Sequence, residues 1–210
     1  PFGPSMSFLI ASPLMNPVMI FTLWILLGWK VAVVYFIVIG IFSVLAGIIF
    51  SRLNLEETYK GVTIKGEGFF ADTKGSKVKR ALNDAWAFLY PLLPYLFIGV
   101  FIGAFIYGFV PEEFVTRYAS GDGFISVAIA SVLGIPMYIR PETMIPIADA
   151  LVTKGMAIGT VITLIIGGAG ASIPELALLS KLFKKKFLVA FITAILTVAV
   201  SAGLIFNLVI

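Results

Sequence analysis

Apolar positions in this chain fall in long blocks, and short polar or basic segments separate them. Ser5 to Gly28 is the first block. It is long enough to cross a bilayer, for which about 20 residues suffice. Pro13 and Pro17 interrupt it, and proline removes a backbone donor and clashes with the preceding turn. Lys30 to Phe50 is a clean span whose Gly40 and Gly47 suit close helix packing. Asn54 to Arg80 is polar and predicts a loop. Ala85 to Val110 predicts another span, with Gly99 and Gly103 in a small-xxx-small pattern. Pro111-Glu112-Glu113-Phe114 suits the first turn of a short interfacial helix, and Gly121-Asp122-Gly123 suits a turn. Phe124 to Ile139 is too short for an easy crossing. It meets Arg140-Pro141-Glu142-Thr143, and Met144 to Val152 is apolar again, so the two arms predict a hairpin that enters the membrane and returns. Ala157 to Phe183 is a second broken block, and Phe187 to Ile210 is a final span.

The two broken blocks resemble one another. Ile10-Ala11-Ser12-Pro13-Leu14-Met15-Asn16-Pro17 and Gly167-Gly168-Ala169-Gly170-Ala171-Ser172-Ile173-Pro174 are both small-residue, Pro-containing breaks, and Pro17 and Pro174 are 157 positions apart. A basic link follows each, Gly28-Trp29-Lys30 or Lys184-Lys185-Lys186, and then one uninterrupted apolar helix. Paired broken segments in corresponding halves point to the binding site of a secondary transporter. The expected organisation is the end of a first transmembrane repeat (1–53), a linker loop (54–80) and a second repeat (81–210). The second repeat holds a span, a hairpin at 124–153, a broken helix at 157–183 and a last span at 187–210.

Composition narrows the class. Hydrophobic residues make up 60% of the chain and charged residues 12%, and the mean hydropathy is +1.08. Soluble domains hold about 45–50% apolar and about 25% charged residues. The expected fold is therefore an all-α polytopic membrane protein with inverted repeats, Pro/Gly-broken helices and a re-entrant-like hairpin. Seven of the fifteen Lys/Arg lie between Arg52 and Arg80 and four between Lys181 and Lys186. That clustering marks cytoplasmic loops, not a nucleic-acid surface. With both clusters inside, the two broken copies run in opposite directions. This inversion requires 124–152 to start and end on the same side. The expected location is the plasma (inner) membrane, with the lipid bilayer and a small-molecule or ion substrate as partners; homo-oligomerisation is left open. There is no Cys and no His, which excludes disulfides and thiolate or imidazole metal sites. No cofactor is expected. The chain opens without Met and close to an apolar stretch, as a fragment lacking its N-terminal part would.

Candidate chemistry sits at the breaks. Arg140, Glu142 and Asp149, with Thr143 beside them, form one constellation. Glu142 and Asp149 are seven apart and share a helix face, and charges at membrane depth are expensive, on the order of 2.5–3.5 kcal/mol each. They read either as a buried substrate or proton site or as a hydrated interfacial cluster. Glu175 follows Pro174 within an apolar stretch; it suits the cap of a restarting half-helix or a carboxylate that exchanges a proton. Ser12, Asn16 and Ser172 suit backbone groups freed by Pro13, Pro17 and Pro174, or the lining of a polar path. Gly167, Gly168 and Gly170 allow close backbone approach. No Gly-Lys-Ser/Thr follows them, so they do not form a phosphate loop.

Several of these motifs resemble a family of predicted permeases that includes the ArsP organoarsenical exporters. They are Ala11-Ser12-Pro13-Leu14-Met15-Asn16-Pro17 with Leu27-Gly28-Trp29-Lys30, then Gly108-Phe109-Val110-Pro111-Glu112-Glu113, then Gly134-Ile135-Pro136-Met137-Tyr138 and Ile145-Pro146-Ile147-Ala148 with Lys154-Gly155-Met156. The resemblance implies a longer two-half protein from which a first hairpin is absent here. It also implies cysteine motifs near the hairpins of members that act on arsenicals; the hairpin of this chain has none. The expected function is a non-enzymatic permease, an exporter of a metalloid, an organoarsenical or another small anionic or polar solute, driven by protons. Substrate binding is expected at Arg140, Glu142, Thr143, Ser12, Asn16 and Ser172, and proton coupling at Glu142, Asp149 and Glu175. Two other classes remain open: an intramembrane enzyme acting on a lipid phosphate, and a membrane subunit with no transport of its own.

Overall fold

The computed structural model describes residues 2–60, 121–137 and 148–210, with isolated positions between 82 and 119. The described residues are almost wholly helical. Helices α1 (Phe2–Leu14) and α2 (Pro17–Leu27) meet at a bend of 43°. Helix α3 (Trp29–Arg52) follows, then a 3-10 turn at Leu55–Thr58. Helix α4 (Phe124–Met137) covers most of the expected first arm of the hairpin, and residues 148–153 of the expected second arm are helical. Helices α5 (Ile158–Gly170) and α6 (Ile173–Leu182) are the second broken pair, and α7 (Lys185–Val209) ends the chain. Trp29–Arg52, Ile158–Leu182 and Lys185–Val209 are each long and apolar enough to cross a membrane, and the bent α1–α2 pair makes a fourth if counted as one span. Most of the expected span at 85–110, all of 111–114 and the hairpin tip at 138–147 lie outside the described residues.

The breaks occur where the sequence places them. Pro13 stands in the last turn of α1. Asn16 is extended and caps α2, its Oδ1 accepting from Val18 N at 3.0 Å, and Pro17 takes the first helical turn, where a missing N–H is harmless. Gly28 ends α2 at φ 94°, a conformation that suits glycine. Ser172 caps α6 as Asn16 caps α2. The register between the two copies is 156, one less than the prolines suggest. Phe2 corresponds to Ile158, Asn16 to Ser172 and Trp29 to Lys185. The caps align and the prolines are offset by one, because either of the first two positions of a helix tolerates proline.

The same register governs the packing. In the first unit α1 crosses α3 through Gly3, Ser7 and Gly47; a Cβ on Gly47 would fall 2.6 Å from the Gly3 carbonyl oxygen and against the Ser7 hydroxyl. In the second, α5 crosses α7 through Gly159, Thr163 and Gly203; a Cβ on Gly203 would fall 2.8 Å from the Gly159 carbonyl oxygen and against the Thr163 hydroxyl. Small residues let helices approach to backbone contact where lipid removes the hydrophobic drive to associate. Helix α5 lies at the centre, buried from Gly159 to Gly170. Helix α4 covers one side of it, with a Cβ on Gly134 falling 2.7 Å from the Gly168 nitrogen. Polar groups in this interior are satisfied: Thr163 Oγ1 donates within 2.8 Å of Gly159 O and 3.1 Å of Ala199 O, and Asn207 Oδ1 accepts from Gly159 N at 2.8 Å. Ser43 Oγ, buried in α3, is the one such atom with no partner among the described residues. Ser43→Ala is therefore expected to leave thermal stability in detergent unchanged or raised by up to ~1 kcal/mol. A clear loss would mean that Ser43 has a partner.

The outer faces are apolar. Phe21, Trp24, Ile25, Phe36, Ile41 and Val44 are all more than half exposed, which suits lipid and not water. At one end of the molecule the chain after α3 straps onto the α6–α7 link. Lys60 N donates to Leu182 O at 2.8 Å, Lys184 N donates to Thr58 O at 2.9 Å, and Tyr59 packs edge-on against Phe183 at 5.6 Å. Phe183 stacks on Phe187 at 3.9 Å, and Phe50 meets Phe187 at 5.8 Å. The strap brings Arg52 and Lys60 to the same end as Lys181–Lys186. Arg52 and Lys60 are the described members of the first basic segment.

Candidate functional site

A cavity of about 460 Å³ opens between the two broken pairs. Helix α1 contributes Ser5, Met6, Phe8, Leu9, Ser12 and Pro13; α5 and the break after it contribute Ala169 and Ser172; α6 contributes Glu175 and Leu179. Leu182 and Phe183 close the strap end. The volume is within the range of small-molecule sites, about 300–1,000 Å³. Its described walls are mainly apolar, and the polar side chains among the described lining residues are three serines and one glutamate.

Local sequence explains each placement. Ser5 and Ser12 are seven apart and share one face of α1. Ser172 stands at the N-cap of α6, with its Oγ accepting from Glu175 N at 3.4 Å. Ser172-Ile173-Pro174-Glu175 has the spacing of a capping box, in which the acid bonds back to the N-cap nitrogen. Here the Glu175 side chain makes no such bond, and no ion pair holds it among the described residues. It lines the cavity instead. Ser172 is thus both the cap of α6 and part of the cavity lining. Ser172→Ala is expected to destabilise the protein by about 1 kcal/mol through the lost cap, which a thermal melt in detergent would register.

The other expected site residues divide. Ser12 lines the cavity and Asn16 does not; Asn16 serves as the cap of α2. Asp149 is exposed within the helical segment 148–153, is absent from the cavity lining, and its carbonyl accepts from Thr153 Oγ1 at 2.9 Å. Arg140, Glu142 and Thr143 lie outside the described residues. Gly168 packs 3.0 Å from the Gly134 carbonyl oxygen, and Gly170 fits against Ile195 and, at 3.4 Å, against Leu14 at the end of α1. The glycine run thus makes close helix contacts. No group of three or more Asp/Glu that would hold a metal occurs among the described residues. Sequence reasoning passed over Ser5, although its spacing from Ser12 is a legible signal. It also missed Phe183, whose role depends on a strap formed over a long sequence separation.

Comparisons with known proteins find relatives of this chain. The UPF0718 protein MJ0584 of Methanocaldococcus jannaschii is 32% identical over 112 residues, which are 53% of this chain and 31% of that protein. The UPF0718 protein YcgR of Bacillus subtilis is 23% identical over 214 residues, covering 98% of this chain and 70% of that protein. The chain thus matches about a third of one relative and over two thirds of the other. No solved structure matches. The family model ArsP_1, described as a predicted permease, matches residues 1–208. Matched over nearly its whole length, the chain belongs to this predicted permease family.

Proposed function

We propose that this chain forms the solute path of a proton-coupled secondary transporter, an exporter of a small solute, in the inner membrane. The observation that carries this reading is the convergence of Ser12 and Ser172, from the two breaks, on one cavity that also holds a carboxylate, Glu175, with no ion pair among the described residues. In this reading the two units are an inverted repeat. Three contacts support it. Gly3 at the start of α1 faces Gly47 and Ser51 near the end of α3, so α1 starts at the strap end. Gly159 at the start of α5 faces Gly203 and Asn207 near the end of α7, so α5 starts at the opposite end. The ends of α1 and α5 meet at Leu14 and Gly170. Broken helices that meet near the midplane leave backbone and polar groups free for a ligand.

Proton exchange falls to Glu175, within the apolar stretch Ile158–Leu182. A bare charge at such depth costs on the order of 2.5–3.5 kcal/mol on insertion scales, so it is neutralised by a proton or by a ligand. The strap at Thr58–Lys60, on the basic side, faces the cytoplasm in this reading. Vesicles containing the purified chain and an internal pH dye provide the test. A panel of small cationic, anionic and neutral solutes is added across an imposed pH gradient. At least one solute is expected to move protons in a chain-dependent manner. Proton movement identical to that of empty vesicles for every solute would contradict the reading.

A further inference from the structure

We infer that the ligand of this cavity is a lipophilic organic monocation that takes the place of the proton on Glu175. The inference rests on the permease reading above and narrows its substrate to a charge class. Glu175 is the only charged side chain among the described lining residues, and it has no ion pair among them. Among the described residues the surrounding elements place no cation in the lining; Lys60 Nζ, from the strap, donates to Ser180 O near the end of α6. Helices α1 and α5 contain no charged residue, Lys181 lies six positions beyond Glu175 on α6, and Lys185 and Lys186 stand at the start of α7. Lys30 and Arg52 occupy the two ends of α3.

The start of α6 is also poorly equipped to hold an anion. A helix N-terminus binds anions through its free N–H groups. Here Pro174 has none, Glu175 N is taken by Ser172 Oγ and Leu176 N by Ser172 O, so Ile173 alone remains. The favourable end of the dipole is already occupied by the Glu175 carboxylate. An anionic solute would meet that charge with little to offset it. A cation meets a carboxylate, serine oxygens, and the rings of Phe8 and Phe183, whose faces attract positive charge. The exchange balances: the cation binds as the carboxyl group releases its proton, one positive charge replacing another. Binding therefore strengthens as pH rises and weakens as pH falls.

Tetraphenylphosphonium and tetraphenylborate test this directly, being of nearly equal size and opposite charge. Equilibrium binding to the full chain in detergent is measured against protein-free micelles. The phosphonium is expected to bind more tightly than the borate, to release a proton on binding, and to bind more tightly at higher pH. Glu175→Gln is expected to weaken phosphonium binding on the order of tenfold or more and to remove both the proton release and the pH dependence. Glu175→Asp is expected to keep both. Ser12→Trp, which fills the cavity and leaves the carboxylate in place, is expected to abolish binding. Equal or tighter binding of the borate would overturn the inference, as would phosphonium binding that survives both Glu175→Gln and Ser12→Trp. If in addition the vesicle panel showed proton movement with neutral or anionic solutes only, the cation assignment would fall and the permease reading would stand.

Discussion

Glu175→Gln is expected to abolish solute-dependent proton movement while leaving the protein folded. The replacement side chain is nearly isosteric, and Glu175 makes no side-chain hydrogen bond or ion pair to a described residue that the change would remove. The Ser172 cap uses the backbone nitrogen of position 175 and survives the change. What is lost is the carboxylate within an apolar span to which proton exchange is assigned in the proposed function. In vesicles the variant should therefore melt within about 0.5 kcal/mol of the parent, as substitutions away from structural contacts do. It should nonetheless dissipate no pH gradient when solute is added. Wild-type exchange should respond to pH with a definite sign. Acid on the solute-binding side protonates Glu175 and opposes loading of a cation, and alkali favours it. A variant that still couples solute to protons would remove Glu175 from the mechanism.

Gly203→Leu is expected to have the largest effect on stability, with Gly47→Leu close behind. At Gly203 even a Cβ falls 2.9 Å from Val127 Cγ1 and 2.8 Å from Gly159 O, so three helices crowd one point. At Gly47 the neighbours are Gly3 and Ser7, from one helix. Overpacking of a close-packed interior costs about 1–3 kcal/mol, and here backbone must move, since two of the obstacles are carbonyl oxygens. Both variants should lower the melting temperature in detergent, Gly203→Leu by more. Gly40→Leu is the control: a Cβ there meets only Met15 Cε, at 3.9 Å. If Gly40→Leu were as damaging as Gly203→Leu, the helix crossings described here would be wrong.

Much of this architecture is legible in the chain. Blocks of apolar residues long enough to cross a membrane announce α3 and α7 unaided, because lipid imposes both length and polarity. The breaks at Pro13–Pro17 and Ser172–Pro174 announce themselves through residues that cannot continue a helix or that cap a new one. The helix boundaries of the two broken pairs correspond at a spacing of 156, which the caps Asn16 and Ser172 give and the prolines Pro17 and Pro174 miss by one. The functional residues were harder to sort. Asn16 and Ser12 are equally polar and four apart, yet only Ser12 faces the cavity. The spacing of Ser5 and Ser12 marks a shared face of α1, but which face meets a partner is decided by packing across the fold. The same holds for Phe183, whose position depends on the strap from Thr58 to Lys60. Asp149 and Glu175 look alike as isolated acids in apolar surroundings; one is exposed and the other lines the cavity.

The central claim is that the cavity between the two breaks is the solute path. Because the chain has no cysteine, single cysteines at Ser12 and Ser172 report on it cleanly. Each variant is placed in sealed vesicles of known orientation and treated with a membrane-impermeant thiol reagent from one side and then from the other. Both positions are expected to react from both sides, with the balance between sides shifting as pH changes. Reaction from neither side, with labelling only by a lipid-soluble reagent, would show that the cavity faces lipid and would contradict the claim.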